Sequence, residues 1–159
     1  TTSRLSELSS EPPKPVWPKA LMIAIPLLLF GGLGWMWYNG EIEAVKQAAL
    51  AWLAINAGLT GLGVLLARGH PLSVLVGALA SPITSLNPFL AAGWFAGYTQ
   101  LKLTPPTGGD AQAFLHLDDL SLCWKNRVGK VLLVTAAGNI GSVFGTWVAG
   151  GAIVGIIIG

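Results

Sequence analysis

Four long apolar segments, separated by polar ones, dominate the pattern of hydrophobic and polar positions along this chain of 159 residues. They cover, approximately, residues 20–38, 47–67, 71–98 and 131–150. A helix of about 20 apolar residues is long enough to cross the hydrocarbon core of a bilayer. The first, second and last segments therefore each predict one full transmembrane helix. The pattern as a whole predicts an all-α, multi-span membrane domain over residues 20–159, preceded by a linker rich in Pro and Ser over residues 1–19.

The third segment, from Pro71 to Tyr98, is uncharged for 28 residues but has a polar break in its middle. This polar break consists of Ser81, Pro82, Thr84, Ser85, Asn87 and Pro88. Backbone groups without partners are tolerated at membrane depth only where protein or a water-filled cavity covers them. The segment therefore predicts a Pro-broken re-entrant helical hairpin, which enters the membrane and returns. The alternative is a single kinked span, which would give four transmembrane helices in total.

The distribution of the nine Lys and Arg residues favours the re-entrant hairpin. Basic residues near the ends of membrane spans accumulate on the cytoplasmic side. If the N-terminus is cytoplasmic and the third segment returns, eight of the nine lie on the cytoplasmic side, whereas only four do if that segment crosses. We therefore expect a multi-pass protein of the cell (inner) membrane with a cytoplasmic N-terminus.

The polar stretch between Leu101 and Lys130 predicts an amphipathic helix that lies in the membrane interface over about residues 110–125. Asp110 follows a break rich in Pro and Gly and is of a residue type that caps helix N-termini. Apolar residues recur on one predicted face, namely Phe114, Leu117, Leu120, Leu122 and Trp124. At the end of this stretch, Trp124, Asn126 and Arg127 are predicted interface residues. After it, the pair Gly150-Gly151 is expected to break the last apolar run.

Small residues recur at a spacing of four in the apolar segments, which places them on one face of a helix. The pairs are Gly93 and Gly97, Gly141 and Gly145, and Gly151 and Gly155. Glycine lets helix backbones approach closely, and such packing drives helix association in lipid. The pairs predict either packing within the chain or an interface between subunits. The expected partners are accordingly the lipid bilayer and either further copies of the chain or other membrane protein subunits.

Composition supports the membrane class and narrows the function. The chain is 53% hydrophobic and 10% charged, whereas soluble domains carry about 25% charged residues. A net charge of +2 argues against nucleic acid as a partner. The cores of the predicted spans contain no ionisable residue, which argues against proton-coupled transport. His70, His116 and Cys123 do not form a pattern of metal ligands. We therefore predict no catalytic, cofactor-binding or metal-binding residue in this chain.

Several motifs of the chain resemble the membrane region of TraB family proteins. They are Gly69 to Ser73, Ala80 to Pro88, Ala92 to Gly97, Trp124 to Val128, Val131 to Val134 and Asn139 to Thr146. The most specific is the sequence Ser-Pro-Ile-Thr-Ser-Leu-Asn-Pro, which begins at Ser81 and is not a generic apolar pattern. The resemblance covers about Gly69 to Trp147, and it extends more loosely to the two earlier segments.

The resemblance implies a soluble N-terminal domain in family members, similar to Tiki proteins and to haem-binding ChaN-like metallohydrolases. Its Gly-x-x-His and acidic-Arg motifs would carry any activity, proposed as inactivation of peptide pheromones. This chain has none of those motifs, so no catalytic residue can be transferred to it. We expect that such a domain was lost from the gene, removed from the protein or left out of this chain.

Three functional hypotheses follow from the sequence. The first is a membrane anchor and assembly module of a TraB-like protein, which holds a soluble domain or a partner at the membrane. The second is a free-standing accessory subunit of a larger membrane complex. The third is a channel or carrier that uses the re-entrant hairpin, with a polar cavity around the polar break.

Overall fold

A computed structural model describes residues 17–87, 90–116 and 120–158 of the chain. In this part the protein forms six α-helices and one short 3₁₀-helix. We number the α-helices α1 (Trp17–Tyr38), α2 (Ile42–Leu66), α3 (Pro71–Thr84), α4 (Ala92–Leu103), α5 (Gly108–Leu115) and α6 (Arg127–Ile158). The 3₁₀-helix, Leu120–Trp124, lies between α5 and α6. The prediction of an all-α fold is confirmed, and the predicted linker over residues 1–19 lies almost entirely outside the described residues.

Two of the described helices, α2 and α6, are long and apolar enough to cross a membrane by length and composition. The 25 residues of α2 begin at Ile42, so the helix includes Glu43 and Lys46, which precede the second apolar segment. The 32 residues of α6 continue through Gly150-Gly151, and the predicted break there is wrong. Shorter apolar stretches are Leu27–Tyr38, within α1, and Pro71–Thr84, which is α3.

The interior of the molecule is built on α2 and α6, which run antiparallel and touch through glycine. A Cβ placed on Gly141 would lie 2.5 Å from the carbonyl oxygen of Leu59, and one on Gly145 would lie 3.0 Å from the Cα of Asn56. Near the end of α2, a Cβ on Gly63 would lie 2.5 Å from the carbonyl oxygen of Ala137. These separations leave no room for a side chain, so the glycines determine how closely the two backbones pack.

Helix α3 and helix α4 form a hairpin. The backbone N–H of His70, just before α3, donates a 2.7 Å hydrogen bond to Oε1 of Gln100, near the end of α4. In the middle of the pair, a Cβ on Gly77 would lie 3.0 Å from that of Ala96. The start of α3 therefore lies beside the end of α4, and the chain leaves the hairpin at the end of the molecule where it entered.

Helix α2 ends in a Schellman motif whose left-handed position is occupied by Arg68. The N–H of Gly69 donates to the carbonyl of Val64 at 3.0 Å, and the N–H of Arg68 donates to that of Leu65 at 2.8 Å. Arg68 has a φ of 55°, where glycine is the usual residue because it has no Cβ to clash. Pro71 then starts α3, with His70 as the N-cap whose side chain accepts from the N–H of Leu72.

Residues 110–125 do not form one continuous amphipathic helix, so that prediction is wrong. Helix α5 ends at Leu115, and the following turn is the 3₁₀-helix that ends at Trp124. The N-cap of α5 is Thr107 rather than Asp110, and Asp110 occupies the third helical position of a capping box. The sequence Thr-Gly-Gly-Asp has the spacing of that motif, with Asp in place of the usual Glu or Gln.

The capping box lowers the pKa of Asp110, and this effect can be measured. The N–H of Thr107 donates to Oδ2 of Asp110 at 2.7 Å, and Oγ1 of Thr107 donates to the same oxygen at 2.8 Å. These two bonds, with a smaller contribution from the charge of Arg127, hold the pKa of Asp110 below its ordinary value of 3.8. Because the folded pKa is depressed, this carboxylate stabilises α5 above about pH 4, and the effect is lost as the pH falls through the folded pKa.

We expect carboxyl NMR of Asp110 in micelles to give a pKa below 3.8, the ordinary value. Thr107→Val removes the hydroxyl donor but keeps the backbone donor, so the pKa should rise part of the way toward that value. Thr99→Val serves as the control, because the hydroxyl of Thr99 bonds to the carbonyl of Phe95, so this variant should leave the pKa of Asp110 unchanged. An Asp110 pKa that does not respond to Thr107→Val would contradict the capping assignment.

Candidate functional site

A polar cluster joins α2, α3 and α6 in the interior of the molecule. Its members are Asn56 and Thr60 from α2, Ser81 from α3 with Ser85 at its C-cap (counted here with α3), and Ser142 and Thr146 from α6. Each helix contributes two residues four positions apart, and this spacing puts both on the same face. The fully buried side chains of Asn56, Thr60 and Ser81 form its centre.

The hydrogen bonds of the polar cluster connect one helix to another. Oγ1 of Thr60 donates to Oγ of Ser81 at 2.6 Å, and Ser81 in turn donates to Oγ of Ser142 at 3.1 Å. Oδ1 of Asn56 accepts from Ser85 at 2.8 Å and from Thr146 at 3.3 Å. In the described part of the chain, every buried side-chain nitrogen or oxygen has a hydrogen-bond partner. The network is therefore satisfied by protein groups and ties three helices together.

Pro82 gives α3 a further contact with α2. The proline lacks the N–H that would continue the helical ladder, and α3 ends two residues later, at Thr84. The carbonyl oxygen of Pro82 accepts a 3.0 Å hydrogen bond from Nε1 of Trp52, one helical turn before Asn56. The tryptophan thus stabilises the backbone where the helix is interrupted.

Two amide side chains, half-buried Asn139 and buried Gln100, hold the ends of the α3–α4 hairpin. Oδ1 of Asn139, on α6, accepts a 2.8 Å hydrogen bond from the N–H of Gly93, in the first turn of α4. Gln100, which is 1% exposed, accepts through Oε1 from the N–H of His70 and from the hydroxyl of Ser73. Both amides supply acceptors to N–H groups that a helix N-terminus leaves without intrahelical partners.

The structure distributes the residues of the predicted polar break among different roles. Ser81 and Ser85 belong to the polar cluster, and Pro82 bonds to Trp52 through its carbonyl. The hydroxyl of Thr84 donates to the carbonyl of Ser81 in its own helix. The N–H of Asn87 donates to the carbonyl of Thr84 in the turn that follows α3, and Pro88 lies outside the described residues.

The glycine pairs singled out in the sequence fall into two groups. Gly93, Gly97, Gly141 and Gly145 face another helix so closely that a Cβ would collide with it or press against it. Gly151 and Gly155, in the last turns of α6, have no atom of the described chain within 4 Å of an ideal Cβ. Only the first four therefore contribute to packing within the described chain.

The predicted interface residues connect α6 to the preceding loop. Asn126 accepts from the N–H of Gly129 at 3.0 Å and donates to the carbonyl of Asp110 at 2.8 Å. Arg127 donates to the carbonyl of Pro105 at 3.2 Å. Trp124 is 39% exposed and lies at one end of an apolar groove between α2 and α6.

The sequence analysis named Ser81 and Ser85 in the polar break but missed the residues that complete the hydrogen bonds of the polar cluster and of the hairpin ends. These are Thr60, Ser73, Gln100, Ser142 and Thr146. The signal that could have found most of the polar cluster is the spacing of four within each helix. Gln100 has no such signal, because its bonds to His70 and Ser73 exist only once the hairpin has closed.

The chemistry available in the polar cluster is that of hydroxyl and amide groups. These groups donate and accept hydrogen bonds, but they do not ionise near neutral pH. Among the described residues, no group of three or more His, Cys, Asp or Glu is placed to hold a metal ion. What the described geometry provides is a connection between helices.

The chain has recognisable relatives among known proteins. The model of the C-terminal domain of TraB family proteins matches residues 17–158. An uncharacterized protein of Methanocaldococcus jannaschii is 33% identical over 117 residues, which cover 72% of this chain and 30% of that protein. The chain thus aligns with about a third of the length of this relative. No solved structure matches the chain. Because the family model covers nearly the whole sequence, the chain belongs to the TraB family, and its residues 17–158 correspond to the family's C-terminal domain.

Proposed function

We propose that this domain is a multi-span membrane anchor and assembly module, which holds a larger polypeptide or a partner protein at the membrane. The observation that carries the proposal is an inverted distribution of polarity. Of the seven largest fully buried side chains in the described part of the chain, five are polar: Gln100, Asn56, Thr60, Ser73 and Ser81. The exposed surface, in contrast, carries large apolar side chains on all the long helices, such as Leu28, Leu66, Ile83 and Trp147, each at least 70% exposed.

An apolar exterior of this extent fits hydrocarbon as the surrounding solvent. Between helices in lipid, the hydrophobic effect gives no attraction, so packing of small residues and buried hydrogen bonds hold the bundle together. The close glycines and the polar cluster are contacts of these two kinds. The exposed Trp35, Trp37 and Tyr38 at the end of α1 are the residue types that settle at a membrane surface.

The charges support an orientation of the bundle. Arg68, Lys102, Lys125, Arg127 and Lys130 all lie at the end where the α3–α4 hairpin opens, whereas Lys46 lies near the opposite end, at the start of α2. Under the positive-inside rule, the basic end is cytoplasmic. The hairpin then enters from the cytoplasm, turns at the polar break and returns, while α1, α2 and α6 cross.

The length of the archaeal relative also supports the proposed anchoring role. The matched region makes up 30% of that protein, so most of that polypeptide lies outside the homologous region. The polar side chains described here join the helices of this domain to one another. Such a domain is suited to hold an additional segment at the membrane. The same role serves a separate partner chain that packs against the apolar exterior.

The topology can be tested by labelling single cysteines from either side of the membrane. In a Cys123→Ala background, Lys102→Cys and Lys125→Cys should react with an impermeant maleimide from the same side as Arg68→Cys. Glu43→Cys should react only from the opposite side, because Glu43 lies in the first turn of α2. If Lys102→Cys reacts together with Glu43→Cys, the hairpin crosses instead of returning.

The anchor itself is tested by fractionation. The full chain fused to a soluble reporter should remain in the membrane pellet after carbonate extraction, whereas the reporter alone should be in the supernatant. Release of the fusion by carbonate would overturn the proposal of a membrane-spanning domain, whatever the labelling pattern.

A further inference from the structure

The apolar groove between α2 and α6 has the shape and the surroundings of a lipid site. It has a volume of about 430 Å³ and is lined by aliphatic side chains, glycine, Trp124 and Phe144. Specific small-molecule sites have volumes of about 300–1,000 Å³. The groove reaches from Ala67, Leu133 and Trp124 at one end to Leu59 and Phe144 at the other.

The length of the groove matches one leaflet of a bilayer. Leu133 and Phe144 are eleven positions apart on α6, which at 1.5 Å per residue corresponds to about 16 Å. Half of a hydrocarbon core of about 30 Å is about 15 Å. One acyl chain extended along the groove would therefore reach from the polar surface to the middle of the membrane.

Positive charge is concentrated at the end of the groove near Trp124. Arg68 directly follows Ala67, and Lys125 directly follows Trp124. Lys130 is three residues before Leu133, so the two share a face of α6. Arg68 and Lys125 are exposed. The described acid at this end, Asp110, is engaged in the capping box with Thr107. Cations at the mouth of an apolar groove between transmembrane helices are what anionic lipid headgroups bind.

The backbone of Arg68 adds an independent observation. Its φ of 55° lies in the left-handed region, which is unfavourable for an L-residue with a Cβ, and glycine would avoid that cost. A strained non-glycine residue persists where its side chain has a use. Within the Schellman motif the strain has no structural advantage, since the motif requires only backbone groups.

We propose that this groove binds one acyl chain of an anionic phospholipid of the cytoplasmic leaflet, with the headgroup at Arg68, Lys125 and Lys130. The inference rests on the proposed membrane embedding and deepens it. A domain that holds other proteins at the membrane thereby also selects negatively charged lipid, and the bound chain fills the surface between its two longest helices.

The test is native mass spectrometry of the detergent-purified full chain, titrated with phosphatidylglycerol or with phosphatidylcholine of identical acyl chains. We expect phosphatidylglycerol to be retained preferentially. Ala136→Trp, whose new side chain would occupy the groove, should abolish that retention. Ala54→Trp is the matched control, because Ala54 is an exposed alanine of α2 that does not line the groove, and it should bind like the wild type.

The headgroup contacts are tested separately. Arg68→Gly and Lys125→Gln should each lower the affinity for phosphatidylglycerol about fivefold and leave that for phosphatidylcholine unchanged. Arg68→Gly should do so without loss of thermal stability, since glycine suits the left-handed position. Lys46→Gln removes a cation at the opposite end and should have no effect.

Equal retention of the two lipids, or full retention by Ala136→Trp, would overturn the proposal. If Ala136→Trp instead converts a dimer to a monomer while lipid retention persists, the groove is an interface between copies and the lipid assignment is wrong. These failures are distinct from failure of the membrane anchor, which the carbonate extraction reports on its own.

Discussion

Gly93→Ala is expected to lower the free energy of unfolding by about 1–3 kcal/mol, the usual cost of overpacking an interior. Its new Cβ would collide with the carbonyl oxygen of Thr135 and with the side chain of Asn139. The carbonyl belongs to the backbone of α6 and cannot rotate away. The collision also pushes apart the 2.8 Å hydrogen bond from the N–H of Gly93 to Asn139, so α4 loses an acceptor at its N-terminus.

The measurement is unfolding in mixed micelles by titration with SDS, followed by circular dichroism. Gly151→Ala is the matched control, since an ideal Cβ at Gly151 has no neighbour within 4 Å. It should cause no loss, and a gain of up to about 1 kcal/mol is expected from the higher helix propensity of alanine. If the two variants unfold alike, the close approach of α4 to α6 is incorrect.

Gly97→Ala distinguishes a side-chain collision from a backbone collision. Its Cβ would meet chiefly Oγ1 of Thr135, which the substitution Thr135→Ala removes. The double variant should therefore recover much of the stability that Gly97→Ala loses. Thr135→Ala should not rescue Gly93→Ala, because the carbonyl oxygen of residue 135 remains. Equal rescue of both variants would contradict the described contacts.

Much of the architecture could be predicted from the sequence because its causes are local. Pro82 removes an N–H wherever it stands in a helix, so the interruption of the third apolar segment was predictable. Long apolar runs likewise indicate helices by length and composition. The count of all nine Lys and Arg residues favoured a return of the third segment to the cytoplasmic side, and this stays a prediction. The bond from His70 to Gln100 shows that the start of α3 lies beside the end of α4.

The errors arose where local signals were given the wrong weight. Gly150-Gly151 was expected to end a helix, but each glycine lowers helix stability by only about 1 kcal/mol and keeps its N–H, so α6 continues. Apolar residues between Phe114 and Trp124 indicated one amphipathic helix, whereas α5 ends at Leu115. The predicted cap at Asp110 failed because Thr107 supplies the same function three residues earlier.

The candidate site was the least predictable part, because its bonds join residues far apart in sequence. Ser142 and Ser81 are 61 residues apart, and Thr146 and Asn56 are 90 apart. No local rule pairs them. What the sequence does contain is the spacing of polar residues by four within each helix, which identifies a common face but not the partner opposite.

Asn56→Ala is expected to lower the free energy of unfolding by about 2 kcal/mol. Oδ1 of Asn56 accepts from Ser85 on α3 and from Thr146 on α6, and the residue is fully buried. A hydrogen bond between transmembrane helices contributes about 0.6 kcal/mol on average and up to about 1.7. The truncated side chain also leaves a space beside Gly145, which adds a packing loss.

The control is Thr99→Ala, since the hydroxyl of Thr99 bonds only to the carbonyl of Phe95 in its own helix. That change should cost less than about 0.5 kcal/mol. A double-mutant cycle decides whether the cluster acts as a connection between helices. Asn56→Ala and Ser85→Ala should be coupled by about 0.5 kcal/mol or more, while Asn56→Ala and Thr99→Ala should be additive. Additivity in both cycles would mean that the hydrogen bond from Ser85 to Asn56 contributes nothing to the stability of the bundle.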